Sequence, residues 1–263
     1  SDLQTLLTAL FPDADSNELQ CRSAFATLDY SYFIAANSKR FGQTPLVRLC
    51  DDGAYRLTDE FRSMLEQTTF RTFFTDTVEA GLFNALALAE SSRKHHIRQN
   101  HGFLYGEKYS VFDVMRLCGW PAEQVPQNVG GYKLDTETGS LPIFIKYEAS
   151  QYGDRFLNPG EIEWFSKNNR SLKSNEFRWL LDGTERTPEW QNRHFVPIFI
   201  RRKAEEQEKS YYFVGSAVAL DDVHASVNPG EDGSESKVVI STLKLGKPVD
   251  PELYRHLTGK SAL

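Results

Sequence analysis

Cysteine is scarce in this 263-residue sequence, with only three. Cys21, Cys50 and Cys118 are odd in number, far apart and set among apolar neighbours, and no CxxC pair occurs. A disulfide framework and a thiolate zinc site are thereby excluded, and the reading is of reduced core thiols in an intracellular, cytoplasmic protein. Long apolar runs are also missing. None approaches the roughly 18 residues a membrane helix needs, and nothing resembles a signal peptide, so no membrane partner is expected. The chain opens on Ser1 and enters a helical pattern at once, as expected of a fragment of a longer polypeptide.

Catalytic signatures are absent as well. There is no GxxxxGK[ST] to cradle phosphates, no GxSxG elbow and no HExxH. His95, His96 and His101 lack cysteines or carboxylates at ligand spacing, so neither metal nor cofactor is expected. Glu161 and Glu163 would share one strand face, but no suitably spaced lysine accompanies them as a nuclease core requires. The fragment reads as non-catalytic.

Excess positive charge is missing overall, because the net charge is −6. Its distribution matters more than its sum. Residues 164–203 hold nine lysines and arginines against four acidic residues, while every other stretch is net acidic. A local cationic patch on an acidic body suits a protein that grips phosphates without adhering to all DNA. A solvated basic loop has the same composition.

What is present is 40% hydrophobic and 13% aromatic residues, enough for a sizeable core. Leu3, Leu6, Leu7 and Leu10 mark an amphipathic helix ended by the turn at Phe11–Asp13. Asn17 caps a second through Leu19 and Phe25, and a third runs from Asp59 to Leu65 after the turn Asp51-Asp52-Gly53. The longest helical pattern is Phe70–Ala89, and a short one over Tyr109–Leu117 has Ser110 as cap and Gly119 and Pro121 as stop. The period then shifts toward two. Strands are expected at Pro142–Tyr147, Val196–Arg201, Tyr211–Val218 and Lys237–Leu245, with a mobile hairpin tip over Asn228–Ser236. The expected architecture is α+β: a helical domain over 1–107 and a compact β-barrel domain over 108–263.

The run Tyr147–Ser174, YEASQYGDRFLNPGEIEWFSKNNRSLKS, gathers aromatic faces, one central carboxylate and a cluster of hydroxyls, amides and cations. An extruded base requires that set. Aromatics stack on its faces, a carboxylate accepts from an exocyclic amine, and amides and cations hold phosphates. Asp154 suits the N4 amine of cytosine. Tyr147, Tyr152 and Trp164 are candidate stacking faces, and Ser166, Lys167, Asn169, Arg170 and Lys173 are candidate polar and phosphate contacts. Asp154-Arg155 is equally readable as a turn with a surface ion pair. Trp164 and Phe165 would face opposite sides of a strand, so at most one serves a pocket.

The stretches NVGGYKLD (Asn128–Asp135), PIFIKYE (Pro142–Glu148), YGDRFLNPGEIEWFSKNNRSLKS (Tyr152–Ser174), VPIFIRR (Val196–Arg202) and YYFVGSA (Tyr211–Ala217) resemble a C-terminal domain of unknown function. That domain follows superfamily-2 helicase modules and often a phospholipase-D-type nuclease. The resemblance is strong over 103–257; residues 1–102 are more weakly similar to the helical coupling region before the barrel. Members include modification-dependent (type IV) restriction enzymes of the SauUSI type, where this half resembles the SET-and-RING-associated (SRA/PUA-like) fold. That implies a double-stranded DNA partner, flipping of 5-methyl- or 5-hydroxymethylcytosine, and helicase and nuclease domains on the same parent polypeptide. It also implies two aromatics flanking a carboxylate, which Tyr152, Asp154 and Trp164 match. A YxHK-like stretch expected in relatives reads Tyr147-Glu148-Ala149-Ser150 here, without the basic residue. The alternative reading is a module that docks onto the helicase and never touches DNA.

Overall fold

A computed structural model describes residues 18–42, 44–95, 97–147, 153–182, 188–229 and 235–259. The expected helix over Leu3–Leu10, the Asn17 cap and Tyr152 lie outside these residues. The chain divides into two units. One holds residues 1–104 and 115–123, the other 105–114 and 124–263. The expected cut between 107 and 108 is a single one, whereas the chain changes unit three times.

The first unit is mainly helical. Helix α1 (Glu18–Leu28) buries Cys21, and the Gln20 amide donates to the Leu117 carbonyl at 2.6 Å. After the short α2 (Ala35–Ser38), β1 (Val47–Leu49) and β2 (Tyr55–Leu57) form an antiparallel hairpin. Its turn is the predicted Asp51-Asp52-Gly53, where Gly53 takes a φ of +77°, a conformation open to glycine at little cost. Tyr55 stacks on Phe25 with centroids 4.2 Å apart. Thr58 caps α3 (Asp59–Glu66), accepting from the Phe61 N–H at 3.2 Å. Phe61 then packs edge-on against Phe70 and Phe74 at the start of the 27-residue α4 (Thr68–Lys94). The two-residue strands β3 (Gln99–Asn100) and β4 (Phe103–Leu104) close the unit.

The second unit is built on one seven-stranded sheet. It begins with β5 (Lys108–Ser110), and Ser110 caps α5 (Val111–Leu117) through Asp113, as expected. There follow α6 (Pro126–Val129), β6 (Ile143–Tyr147), β7 (Arg155–Asn158), β8 (Glu161–Phe165), α7 (Asn175–Leu180) and α8 (Pro188–Arg193). Next come β9 (Val196–Arg202), β10 (Ser210–Pro229), β11 (Glu235–Leu245) and α9 (Pro251–Thr258). The strand order is β6-β9-β10-β11-β8-β7, with β5 beside β10. Among the strands of the described residues, only β6 and β9 pair in parallel.

β-Branched residues fill the buried positions of these strands, among them Ile143, Ile145, Ile198, Ile200, Val214 and Val239. With Trp164, Phe177, Trp190 and Leu257 they form one core. Register shifts between Phe213 and Gly215 and between Asp221 and His224 bend the 20-residue β10. The sheet curls until Tyr147 of β6 and Phe156 of β7 lie 6.0 Å apart. Among the described residues no ladder joins those two outer strands. The sheet is therefore a curled half-barrel, where a compact β-barrel was expected. Asn228 and Pro229 pair with Ser236 and Glu235, so both ends of the expected tip are ladder; residues 230–234 lie outside the described residues.

Candidate nucleic-acid interface

The start of β7 and the end of β8 meet at one end of the sheet, where the candidate Asp154 lies. Gly153 and Asp154 lead into β7, and the Asp154 Oδ1 accepts from the backbone N–H of Phe165 at 2.8 Å. Its other oxygen has no partner among the described residues. Burial, with the Glu163 carboxylate adding to it, pushes the Asp154 carboxyl up to about 7, against the pull of the Phe165 N–H. Arg155 pairs with Glu163 at 2.9 Å.

Strand alternation decides which aromatic can face this carboxyl. In β8, Ile162 and Trp164 point inward while Glu161, Glu163 and Phe165 are half-buried on the other face. Trp164 is 2% exposed, edge-on to Tyr132 at 5.0 Å and tilted against Phe177 at 5.8 Å. The expectation that Trp164 stacks on a base is thus corrected, because its ring is a core side chain. Phe165 takes the outward place beside Asp154. Its ring sits so close to Gly153 that a Cβ there would come within 3.0 Å of it. Sequence alternation held this signal, but not which of the two neighbours faces out. Tyr147 ends β6, is 8% exposed and packs on Phe156.

The polar loop after β8 is sewn to β11. Ser166 is fully buried; its N–H donates to the Val239 carbonyl, and its hydroxyl accepts from the Val239 N–H at 2.8 Å and donates to the Lys167 carbonyl. Ser166 is therefore a fastener, which corrects its expected role as a polar contact for a base. The Arg170 N–H donates to the Lys237 carbonyl at 3.2 Å. Pairing of β8 with β11 thus brings Lys237, some 70 residues further along the chain, to the loop. It is exposed there.

Beneath the loop lies a buried anchor. The Tyr132 hydroxyl donates to Glu176 Oε1 at 2.9 Å and accepts from the Lys167 N–H at 3.3 Å. Arg170 Nε stands 2.9 Å from the same Glu176 oxygen. Burial raises the Tyr132 phenol, so it stays a donor. The Lys167 ammonium lies 4.6 Å from the Tyr132 ring centre. Burial, then Arg170 and Lys133, hold its affinity for a proton below the ordinary lysine value, against Glu176. Asn169 and Lys173 are exposed, and Asn169 takes a φ of +59°. Of the expected residues, Asp154 is tied to the Phe165 N–H, Lys167 and Arg170 gather at Tyr132 and Glu176, and Asn169 and Lys173 are exposed in the loop after β8. Arg170 pairs with Glu176, and the sequence reading, which left open whether Trp164 or Phe165 faces out, named neither Tyr132 nor Lys237.

Glu161 and Glu163 do not form a nuclease pair. Glu161 holds Lys244 at 2.6 Å and Glu163 holds Arg155. Among the described residues no three His, Cys, Asp or Glu side chains gather closely enough to hold a metal ion. No described helix is long and apolar enough to cross a membrane.

A mixed α+β unit with a curled half-barrel sheet is the class these features define. The chain belongs to the family described as Domain of unknown function (DUF3427), which matches residues 103–257. Residues 1–89 match a second family, Domain of unknown function (DUF8090). No curated protein matches. Among solved structures, the DNA recognition domain of the cytosine modification-dependent restriction endonuclease LpnPI is 12% identical, with a TM-score of 0.38 over 60% of this chain and 89% of that one. The SUVH5 SRA domain with hemi-methylated CG DNA is 12% identical, with a TM-score of 0.37 over 59% of this chain and 97% of that one. The sulfur-binding and SRA domains of ScoMcrA with phosphorothioated DNA are 14% identical, with a TM-score of 0.35 over 59% and 45%.

Proposed function

We propose that the chain is the DNA-reading, non-catalytic part of a modification-dependent restriction enzyme, acting with helicase and nuclease domains of the same polypeptide in the cytoplasm. Its ligand is duplex DNA carrying 5-methyl- or 5-hydroxymethylcytosine, and it needs no cofactor. The observation that carries this reading is the partly buried Asp154 carboxyl, anchored through one oxygen to the Phe165 N–H just before the loop that carries Lys167 and Lys173. A carboxyl partly withdrawn from water costs free energy unless a donor meets it. The N4 amine of an extruded cytosine is such a donor.

In this reading Phe165 and Tyr152 are the aromatics that stack on the base, while Tyr147 packs in the core on Phe156. Lys167, Lys173 and Lys237 hold phosphates, and Asn169 supplies amide contacts. Arg170 shapes the loop through Glu176 and reaches phosphate only with its remaining donors. Asp154 reads cytosine and not its 5-substituent. The substituent is sensed by packing, worth about 1–3 kcal/mol for a methylene-sized feature.

Flipping is tested with a fluorescent base analogue placed next to a single 5-methylcytosine. Emission is expected to rise on binding, because extrusion unstacks the neighbour. Saturable binding with no rise in emission for any modified duplex overturns the base-flipping reading.

A further inference from the structure

Residues Tyr30 to Cys50 hold Lys39, Arg40 and Arg48 and no acidic residue, although residues 1–104 are net acidic. The same segment carries a stack of rings with an open end. The Arg116 guanidinium lies over the Phe33 ring, 5.6 Å from its centre. Phe41 stacks on Phe33 with centroids 4.6 Å and planes 29° apart. Tyr30 is 6.3 Å from Phe33 and 6.1 Å from Phe41, so it stands beside the pair and not on top of it. Its hydroxyl donates to the Phe41 carbonyl at 3.1 Å. Tyr30 takes a φ of +67°, a conformation disfavoured for a residue with a Cβ and kept only where its surroundings hold it. Phe33 is half-buried, whereas Phe41 is 53% exposed and meets no further ring among the described residues. Lys39 and Arg40, in the same one-turn helix as Phe41, are exposed.

The acids around this stack are engaged elsewhere or lie on other elements. Glu123 is buried and accepts from the Ile34 N–H at 3.0 Å and the Asn37 amide at 2.7 Å. Asp29 accepts from the Ser31 N–H at 2.8 Å. Asp51 and Asp52 belong to the β1–β2 turn and Asp59 and Glu60 to α3; Asp52 pairs with Arg56, and Asp59 with Arg48 and Arg62. The Arg116 Nε is buried and has no hydrogen-bond partner among the described residues, so its charge adds positive potential behind the rings. We propose that the open face of Phe41 seats one unpaired base of single-stranded DNA, with Lys39 and Arg40 holding the flanking phosphates. A flat apolar face beside cations calls for a ligand that is both planar and anionic. An unpaired base on its phosphate backbone is such a ligand, whereas bases within a duplex have both faces covered by their neighbours. The seat reads no sequence, because every base has a π-face. It is a second DNA contact, on the helical unit, and does not depend on the Asp154 site.

Anisotropy of a short labelled oligo(dT), against an abasic sugar-phosphate strand of the same length, tests this on the 263-residue chain. Wild type is expected to bind oligo(dT) more tightly than the abasic strand. Phe41→Ala is expected to weaken oligo(dT) binding about tenfold and to leave the abasic strand unchanged, because only base stacking is lost. Phe41→Trp, which keeps a flat face, should bind oligo(dT) as wild type does. Phe41 is already exposed, so both variants should fold, and thermal melting checks this. Lys39→Ala and Arg40→Ala should each weaken both strands and lower the salt slope by about 0.7. The preference for a modified duplex, measured in parallel, should be the same in Phe41→Ala as in wild type. Its absence from wild type would refute the duplex reading and leave this seat standing. A wild type that binds the abasic strand as well as oligo(dT), or binds neither at low salt, overturns the inference. So does a folded Phe41→Ala that keeps wild-type affinity for oligo(dT).

Discussion

Replacing Asp154 by Asn separates the buried-carboxyl account from a merely structural one, because it changes stability and binding in opposite directions. The unfolded carboxyl ionises near 3.8 and the folded one near 7. Between those values the native state holds the extra proton. Stability therefore falls as pH rises through that window, and is level above it. At about 1.36 kcal/mol for each pH unit, the cost of ionising Asp154 reaches at most about 4 kcal/mol above pH 7. The amide introduced by Asp154→Asn cannot ionise and can still accept from the Phe165 N–H, so the variant should melt higher than wild type at pH 8. Near pH 4 the two should melt alike.

Binding should go the other way. A cytosine N4 amine needs the ionised carboxylate, so wild-type affinity for the modified duplex should climb by up to about tenfold per pH unit toward 7 and then flatten. The Asp154→Asn variant should lose that slope. At pH 8 it should also lose about 1.5–3 kcal/mol of a charge-assisted hydrogen bond, a ten- to hundred-fold drop confined to the modified duplex. Fluorescence anisotropy across about pH 5.5 to 8 and parallel thermal melts measure both effects. The reasoning is refuted if the variant melts with the same pH slope as wild type, or if it keeps the wild-type preference and slope in binding.

Lys173→Ala and Lys237→Ala should each weaken modified and unmodified duplexes about equally and lower the salt slope by about 1; unchanged slopes for both would move the DNA surface elsewhere. Trp164→Ala should destabilise the fold by about 3–5 kcal/mol in a denaturant melt, because it empties a core site beside Tyr132 and Phe177. Gly153→Ala should displace the Phe165 ring and reduce discrimination between duplexes, while a variant with wild-type discrimination would take Phe165 away from the base. Removing residues 1–102 should leave the rank order of modified duplexes unchanged, and a reversed order in a folded truncation would give that region a share in base choice.

The strands at Ile143–Tyr147 and Val196–Arg202 were legible because β-branched and other apolar residues dominate them. The full reach of β10 was not, since its bulges at Phe213/Gly215 and Asp221/His224 break the period-two pattern that marks a strand. The hairpin of β1 and β2 left only its Asp-Asp-Gly turn in the sequence, because each strand has three residues. Asp154 was legible as a lone carboxylate among aromatics. Its hydrogen bond to the Phe165 N–H was not, because that comes from the pairing of β7 with β8. Lys237 could not be found by spacing, since only the β8–β11 ladder brings it to the rim. Arg170 looked like a phosphate contact in a basic run, yet Glu176 six residues on holds it in place.

Competition binding tests the central claim most directly. The chain is mixed with a labelled duplex carrying one 5-methylcytosine and challenged with unmodified, methylated, hydroxymethylated and glucosylated competitors of the same sequence at two salt concentrations. The account predicts that methylated or hydroxymethylated duplex competes best by at least about tenfold, and that added salt weakens every duplex alike while that ratio survives. Equal competition by all four duplexes, or no DNA binding at low salt, would contradict it.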